Sequence, residues 1–542
     1  MPHLDDFQRD IVRECEQKRG GGISVPMGTG KTLIALTLAV NAMKGKDASK
    51  CLIIVSKTLI ESWTSEIVKF FATDLKFQVY HTSIQKSNFA TFSPDADTKL
   101  IITTPEVLSK FYLANRVATK FVTQEMEDRG GPFPVSVNRY HIPQRPLVTV
   151  GSFLFTTQWK RAFIDEIQSY TNITSVRCQA IASVSADQKW GLSGTLFNEP
   201  KADRILGYNL IIGNATFPNC LPDAVAYIKR SDFEGLNTTL VLRKSVPFSL
   251  PEVNERVIEH NLSVDEQAIY LSFKNVIKTI RERVAFFKTT HDTSMSRKFS
   301  AYLLAMITYT RQFLVCPLIP YASMAIELMD LNKKNEMVLD FKRQMDQLNV
   351  ASYMANPDSA KSTRISRVIE TVNSHDTEKV IIFTCFRTNL NVLEAYMPAH
   401  RQRFVIASEH PPKKRAQILS DFEKSESGIL LLTYELGAEG LNLQHCATVL
   451  LVDVWWNCGK TQQAIARVLR RGQTSTVNVY FYTANTGIER ALFTKHGQKM
   501  QALKELETGP MTCKIETMKT KDILDMINSE DNAQLLKSTR ET

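Results

Sequence analysis

The chain has 542 residues, 43% of them apolar, a net charge of +10 and an isoelectric point near 9.0. That length predicts several domains with apolar material for more than one core; no apolar run approaches the roughly 20 residues that cross a bilayer, and the N-terminal MPHLDDFQRD has no signal-peptide pattern. Nine cysteines without a CxxC pair argue against a zinc ribbon or a disulfide framework, so the expectation is a soluble intracellular protein with no membrane partner, whose basic balance favours a polyanion.

From the N-terminus, a short strand over 23–27 enters the glycine turn Met27-Gly28-Thr29-Gly30-Lys31-Thr32, and helix-forming residues follow over 32–43. A strand, a glycine-rich turn, Lys-Thr and a helix form an arrangement that holds a triphosphate. The glycines let backbone N–H groups converge on the phosphates, and the helix N-terminus adds its dipole. Lys31 is expected to reach the β- and γ-phosphates and Thr32 to ligate Mg2+. The general pattern GxxxxGK[ST] calls for glycine at 25, where Val25 stands. Upstream, Gln8 has an amide able to read an adenine edge.

Apolar runs at 51–56 (CLIIVS) and 100–104 (LIITT) are further strands, the strand at 161–166 (RAFIDE) ends in Asp165-Glu166, and 190–195 is a strand and turn. Continuous apolar runs between helical stretches predict a parallel sheet covered on both faces. Of the paired carboxylates, Asp165 is suited to hold Mg2+ and Glu166 to orient or deprotonate an attacking water. The Pro- and Gly-rich stretch 130–146 marks a surface insertion near 111–150.

Residues 263–349 are helical in composition and carry Lys274, Lys278, Arg281, Arg283, Lys288, Arg297 and Lys298. They suit either a solvated linker or a protrusion touching DNA or a partner. Strands of the buried type then return at 379–385 (KVIIFTC), 428–433 (GILLLT), 448–454 (TVLLVDV) and 477–483 (VNVYFYT). The fold class is therefore α/β, with two separate units. In the second, Gln463, Arg467 and Arg470 share one helix face by i, i+4 and i, i+3 spacing, and two such arginines can meet a γ-phosphate supplied from another domain.

These motifs, in this order, make the chain resemble the SWI/SNF-like branch of helicase superfamily 2 from Leu4 to about Leu506. Gln8 matches the family's adenine-binding glutamine, and 25–32 its phosphate loop D-E-M-G-x-G-K-T without the two acidic residues. Trp63 and then Thr103-Thr104-Pro105-Glu106 match the next two motifs. Asp165-Glu166-Ile167-Gln168 resembles the DExH box with Gln168 in place of histidine, and Ser193-Gly194-Thr195 the coupling motif. Leu242-Arg243-Lys244 with Leu250-Pro251 resembles the passage out of the first lobe. Arg311-Gln312 with Cys316-Pro317, then Gly437, Gly440, Leu441, Asn442 and Leu443, then Asp453 with Trp456-Asn457 resemble narrower family motifs. So do Gln463, Arg467, Arg470, Gly472 and Gln473, and the closing Gly487-Ile488-Glu489-Arg490.

The resemblance implies two tandem RecA-like lobes with a helical insertion between them: lobe one over 1–260, a helical protrusion over 261–350, lobe two over 351–506 and a polar tail over 507–542. It implies ATP and Mg2+ as cofactors, bound between the lobes, with Arg467 and Arg470 as fingers. It also implies phosphate contacts to nucleic acid near Thr104, Pro105, Thr433 and Asn442. The expected activity is an ATP-driven translocase on double-stranded DNA serving transcription, replication or remodelling. RNA polymerase or other transcription and replication proteins are candidate partners, and the nucleus or a viral compartment the candidate location. The absence of bromodomain, chromodomain and zinc-finger patterns resembles compact motors of large DNA viruses. A strand-separating helicase on DNA or RNA and a non-catalytic nucleic-acid tether are the alternatives.

Overall fold

A computed structural model describes residues 4–494 apart from 27, 45–48, 72–74, 82–93, 115–121, 129–133, 141–152, 195, 197–201, 230–239, 243–249, 330–338, 340–341, 344–361, 438–440, 456–457 and 471. The expected polar tail lies outside the described residues. The chain divides into two compact units, with the boundary between Ser249 and Leu250.

The first unit holds nine strands among the described residues: β1 (Gly21–Ser24), β2 (Cys51–Ile54), β3 (Phe77–Tyr80), β4 (Leu100–Thr103), β5 (Val122–Glu127), β6 (Val135–Tyr140), β7 (Trp159–Asp165), β8 (Ala186–Ser193) and β9 (Leu240–Leu242). Seven form a sheet of order β3-β4-β2-β7-β8-β1-β9, with every pairing parallel. The central strands β1, β2 and β4 are buried at every residue, as expected where helices cover both faces. Helices α1 (Asp6–Gln17), α2 (Lys31–Met43) and α3 (Ile60–Phe71) pack on it through Ile11, Cys15, Leu36, Val40, Trp63 and Ile67. Arg161 on β7 ties three of these elements together. Its guanidinium donates to the Glu16 carboxylate of α1 at 3.0 Å and to the Leu38 carbonyl of α2 at 2.7 Å.

The surface insertion contains the antiparallel hairpin β5–β6. Val137 and Tyr140 are buried, and Arg139 donates to Asn219 Oδ1 at 3.1 Å. The hairpin is thus anchored to the first unit.

The second unit begins earlier than the motifs implied. Strand β10 (Val253–His260), expected in lobe one, pairs over eight residues with β15 (Val477–Ala484). Between them lie β11 (Lys379–Thr384), β12 (Arg403–Ile406), β13 (Gly428–Thr433) and β14 (Thr448–Leu451), and the parallel sheet runs β10-β15-β14-β11-β13-β12. The helical insertion belongs to this unit. Helix Val264–Thr289 starts at a Ser263–Glu266 capping box. It packs with helix Thr293–Phe313 into a core that includes Ala484, Ile488 and Leu492. Lys274, one of the basic residues that suited either a solvated linker or a protrusion, is buried. Glu266 also receives the Thr363 N–H at 3.0 Å and hydroxyl at 2.6 Å, fixing the insertion to helix Thr363–Ser374.

Candidate nucleotide-binding site

In a parallel sheet every strand delivers its carboxyl end to the same edge, where α/β folds bind ligands. Across that edge of the first sheet, Ser24 pairs with Ser193 and Asp165 with Leu192. The phosphate loop, the paired carboxylates and the Ser193-Gly194 turn therefore share one edge. Thr195 and Met27 lie outside the described residues.

The loop conformation depends on two glycines, Gly28 at φ 79° and Gly30 at φ 82°, a region that side chains disfavour. Gly30 precedes α2, whose N-terminus has no side-chain cap, so its first backbone N–H groups face a ligand position. Gln8 holds the loop from outside. Its Nε2 donates to the Thr29 carbonyl at 3.0 Å, while its Oε1 accepts the Asp5 N–H at 3.2 Å in a capping box. Each end of the expected adenine-reading amide thus makes one bond within the protein, and the buried Gln8 also shapes the loop. Asp5-x-x-Gln8 carried that signal, because an acidic N-cap followed three residues later by Gln is a capping-box signature. Val25, where glycine was expected, is buried in the core, and its N–H donates to the Ser193 carbonyl at 3.3 Å. The Pro26 carbonyl accepts the Thr29 hydroxyl at 2.7 Å. Lys31 Nζ lies 3.2 Å from the Val25 carbonyl and 3.4 Å from that of Pro26. Thr32 is half-buried in the first turn of α2.

Asp165 is gripped at both oxygens. The Trp63 indole N–H donates to Oδ2 at 2.9 Å and the Glu166 backbone N–H to Oδ1 at 3.0 Å. Burial pushes the carboxyl up to about 6 and Glu166 adds to the rise, while Trp63 and Lys31 oppose it. Glu166 adopts φ 50°, ψ 46°, a left-handed conformation that costs a non-glycine residue about 1 kcal/mol or more and recurs at functional sites. Gln168, in the turn that follows, donates its amide to the Glu166 carboxylate. The turn is registered to β8 by Ile167, whose side chain fills the space over Gly191 where a Cβ would stand 2.4 Å from it.

No cluster of three or more His, Cys, Asp or Glu side chains forms a metal cage among the described residues. One oriented carboxylate with a nearby helix-start hydroxyl is instead the donor set of a hard divalent ion that arrives with phosphate oxygens and keeps several waters. Asp165 and Thr32 fit that description.

Three of the four residues expected at nucleic acid are buried. Thr104 is fully buried, its carbonyl accepting the Leu108 N–H and its hydroxyl facing the Val107 N–H at the start of helix Pro105–Ala114. Thr433, the last residue of β13, has its hydroxyl 3.5 Å from the Leu436 N–H. Pro105 is buried too, whereas Asn442 is exposed. In both threonines the side chain meets the backbone of the following helix, a capping duty.

In the second unit, Asp453 accepts the Cys385 N–H at 2.8 Å and the Asn389 amide at 3.2 Å, and Arg311 donates to the Val454 carbonyl at 2.6 Å. Arg311 thereby pins the insertion to the segments that follow β11 and β14. The arginine helix is shorter than the spacing implied. Helix Cys458–Ile465 ends, and tight turns follow, with Arg467 N–H on the Ala464 carbonyl and Arg470 N–H on that of Val468. One continuous α-helix therefore does not carry Gln463, Arg467 and Arg470. Gln463 and Arg467 are buried and Arg470 is half-buried. Gly440 and Trp456 lie outside the described residues.

A feature without a sequence signal is the buried pair Arg364–Glu489. Arg364 is 1% exposed, donates to Glu489 Oε1 at 2.9 Å and to the Val452 carbonyl at 3.1 Å, and thereby locks the closing motif to the sheet.

Comparison with known proteins adds an independent line. Residues 10–203 match the SNF2-related domain and 360–472 the helicase conserved C-terminal domain. The protein designated helicase 172L of Invertebrate iridescent virus 6 is 24% identical over 91% of this chain and 86% of its own length. An ATP-dependent helicase of Mycoplasma pneumoniae, described as uncharacterized, is 22% identical over 92% of this chain and 42% of its own length, so the chain spans less than half of that relative. DNA repair protein RAD5B of Arabidopsis thaliana is 31% identical over 27% of this chain and 11% of its own. The solved Sulfolobus solfataricus SWI2/SNF2 ATPase core in complex with dsDNA covers 94% of both chains at 19% identity and a TM-score of 0.37, too low to transfer any detail. With an SNF2-related domain in its first unit and a helicase C-terminal domain in its second, the chain belongs to the SWI/SNF-like branch of helicase superfamily 2 and is a helicase-like ATPase.

Proposed function

We propose that the protein hydrolyses ATP with Mg2+ and uses the cycle to translocate along double-stranded DNA, with contacts mainly to phosphates. The observation that carries the reading is the shared strand edge where a two-glycine phosphate loop, Lys31 and a doubly held Asp165 meet. In this account the loop N–H groups and Lys31 bind the phosphates, Thr32 and Asp165 hold Mg2+, and Glu166 takes the proton of the attacking water. When bound there, the metal would neutralise charge on the phosphates. Arg467 and Arg470 stabilise the charge that develops in hydrolysis. Ser193, Gly194 and Thr195 couple hydrolysis to movement.

The choice of duplex DNA rests on the motif set around Arg311-Gln312 and Trp456-Asn457 and on the DNA repair names of several relatives. The helicase designation of the viral relative favours strand separation as the second reading. Displacement of a triplex-forming strand from duplex DNA, without unwinding of a forked duplex, supports translocation. Unwinding of the fork with no triplex displacement refutes it in favour of the second reading.

A further inference from the structure

Gln168 replaces the usual histidine of the DExH box, and its surroundings give it work of its own. The side chain is 4% exposed. Its two ends differ sharply. The Nε2 end faces the Glu166 carboxylate and donates to Oε2; the reverse orientation would set two acceptors against each other. The Oε1 end is buried and has no hydrogen-bond partner among the described residues. Leaving such an oxygen unpaired costs roughly 1–3 kcal/mol, and an orphan of this kind in a native fold calls for an explanation. The backbone around it is constrained as well, by the left-handed Glu166 before it and by Ile167 wedged over Gly191.

A water poised for in-line attack has two hydrogens, and orienting it takes two acceptors. We propose that Gln168 is a catalytic residue: its buried carbonyl oxygen accepts one hydrogen of the attacking water while its amide holds Glu166 in place to accept the other. The balance is simple. The water oxygen bonds to the γ-phosphorus, and the bond from that phosphorus to the β–γ bridging oxygen breaks, its electron pair leaving on ADP. One proton passes to Glu166, and the other stays on the new phosphate. Gln168 exchanges no proton; it fixes the angle of approach, and the orphaned oxygen finds its donor only when the nucleophile is present. This rests on ATP hydrolysis in the first unit as proposed above.

The test compares two nucleotide analogues on the full chain. ADP with beryllium fluoride mimics the ground state, and ADP with aluminium fluoride mimics the transition state together with its in-line water. Gln168→Leu removes both polar ends; Gln168→Glu is nearly isosteric but sets a like charge beside Glu166. Both variants are expected to bind the beryllium fluoride complex within about twofold of the parent, which also shows that the site is folded. Both are expected to bind the aluminium fluoride complex about 100-fold less tightly and to lose a similar factor in kcat. Equal losses for the two analogues, or no loss for either, overturn the role of Gln168. If the parent chain itself neither hydrolyses ATP nor binds either analogue, it is the ATPase reading that fails.

Discussion

The Trp63 indole N–H, on α3, donates to Asp165 Oδ2 across 102 residues of sequence at 2.9 Å. Trp63 is 2% exposed, so the donor is fixed in the core and orients the half-buried carboxylate before any ligand arrives. Groups that orient a metal ligand from behind typically affect metal affinity 10- to 100-fold. Trp63→Phe, which keeps the ring packing, is expected to raise the Mg2+ concentration for half-maximal ATP turnover about 10-fold. The pH response follows from the same bond. Asp165 is raised to about 6, chiefly by burial, and must be ionised to ligate Mg2+, so turnover at limiting Mg2+ falls as pH drops through about 6. The indole favours the charged form, so in Trp63→Phe the fall begins at higher pH. An unchanged Mg2+ requirement and pH profile would show the bond to be incidental.

Gly30→Ala tests the loop geometry. At φ 82° the added Cβ is strained, and it would stand 2.5 Å from Gln8 Nε2, an atom held by its bond to the Thr29 carbonyl. A penalty of about 1–2 kcal/mol for the left-handed conformation corresponds to roughly 5- to 30-fold weaker nucleotide binding if the loop must rearrange. Titration with a fluorescent ATP analogue measures it, and Gln8→Ala is expected to weaken binding in the same direction.

The pair Arg364–Glu489 predicts a stability pattern in the second unit. Removing one partner strands a buried charge, so Arg364→Ala or Glu489→Ala is expected to destabilise by about 3–5 kcal/mol, while replacing both with apolar residues recovers most of the loss. Chemical denaturation of the three variants decides it.

His260, beside Arg364, adds a pH dependence. Burial, with the Arg364 charge second, pushes it down from 6.5 to about 3. The native imidazole thus stays neutral where the unfolded one takes a proton. Stability from this group is complete above pH 6.5 and declines toward pH 3, by about 1.4 kcal/mol per pH unit. His260→Leu is expected to flatten that acid limb in a thermal denaturation series; an unchanged limb assigns the acid sensitivity elsewhere.

Arg467 and Arg470 belong to the second unit and the phosphate loop to the first. Their replacement by Ala leaves the loop and its bonds intact, so kcat is expected to fall about 100-fold or more with the ATP dissociation constant nearly unchanged. Parallel loss of binding and turnover would contradict the finger role.

The legible parts of the fold were those whose residues state their own environment. CLII and LIIT in the first sheet and GILLLT in the second are apolar at nearly every position because helices cover both faces of a central parallel strand. The strands that were missed are edges. Phe77–Tyr80 and Arg403–Ile406 are short, and Val253–His260 exposes Glu255, Arg256 and Val257. What makes them strands is pairing with residues far away in sequence, which local composition does not record. The same division runs through the site. Gly28, Gly30, Lys31 and Asp165-Glu166 announce themselves by local pattern, since loop curvature and charge are local needs. The Trp63 bond to Asp165 and the burial of Thr104 depend on tertiary contacts. The arginine helix failed differently: its 3.6-residue spacing continues past Ile465, but the backbone tightens there, with no Gly or Pro until Gly472 to mark it.

Translocation on duplex DNA is tested by the rate of ATP hydrolysis by the full chain without nucleic acid and with duplex DNA, single-stranded DNA and RNA in parallel. Duplex DNA is predicted to raise the rate at least 10-fold, more than the other two, and Lys31→Ala to abolish the activity in every arm. A rate indifferent to nucleic acid, or one that survives Lys31→Ala, would contradict it.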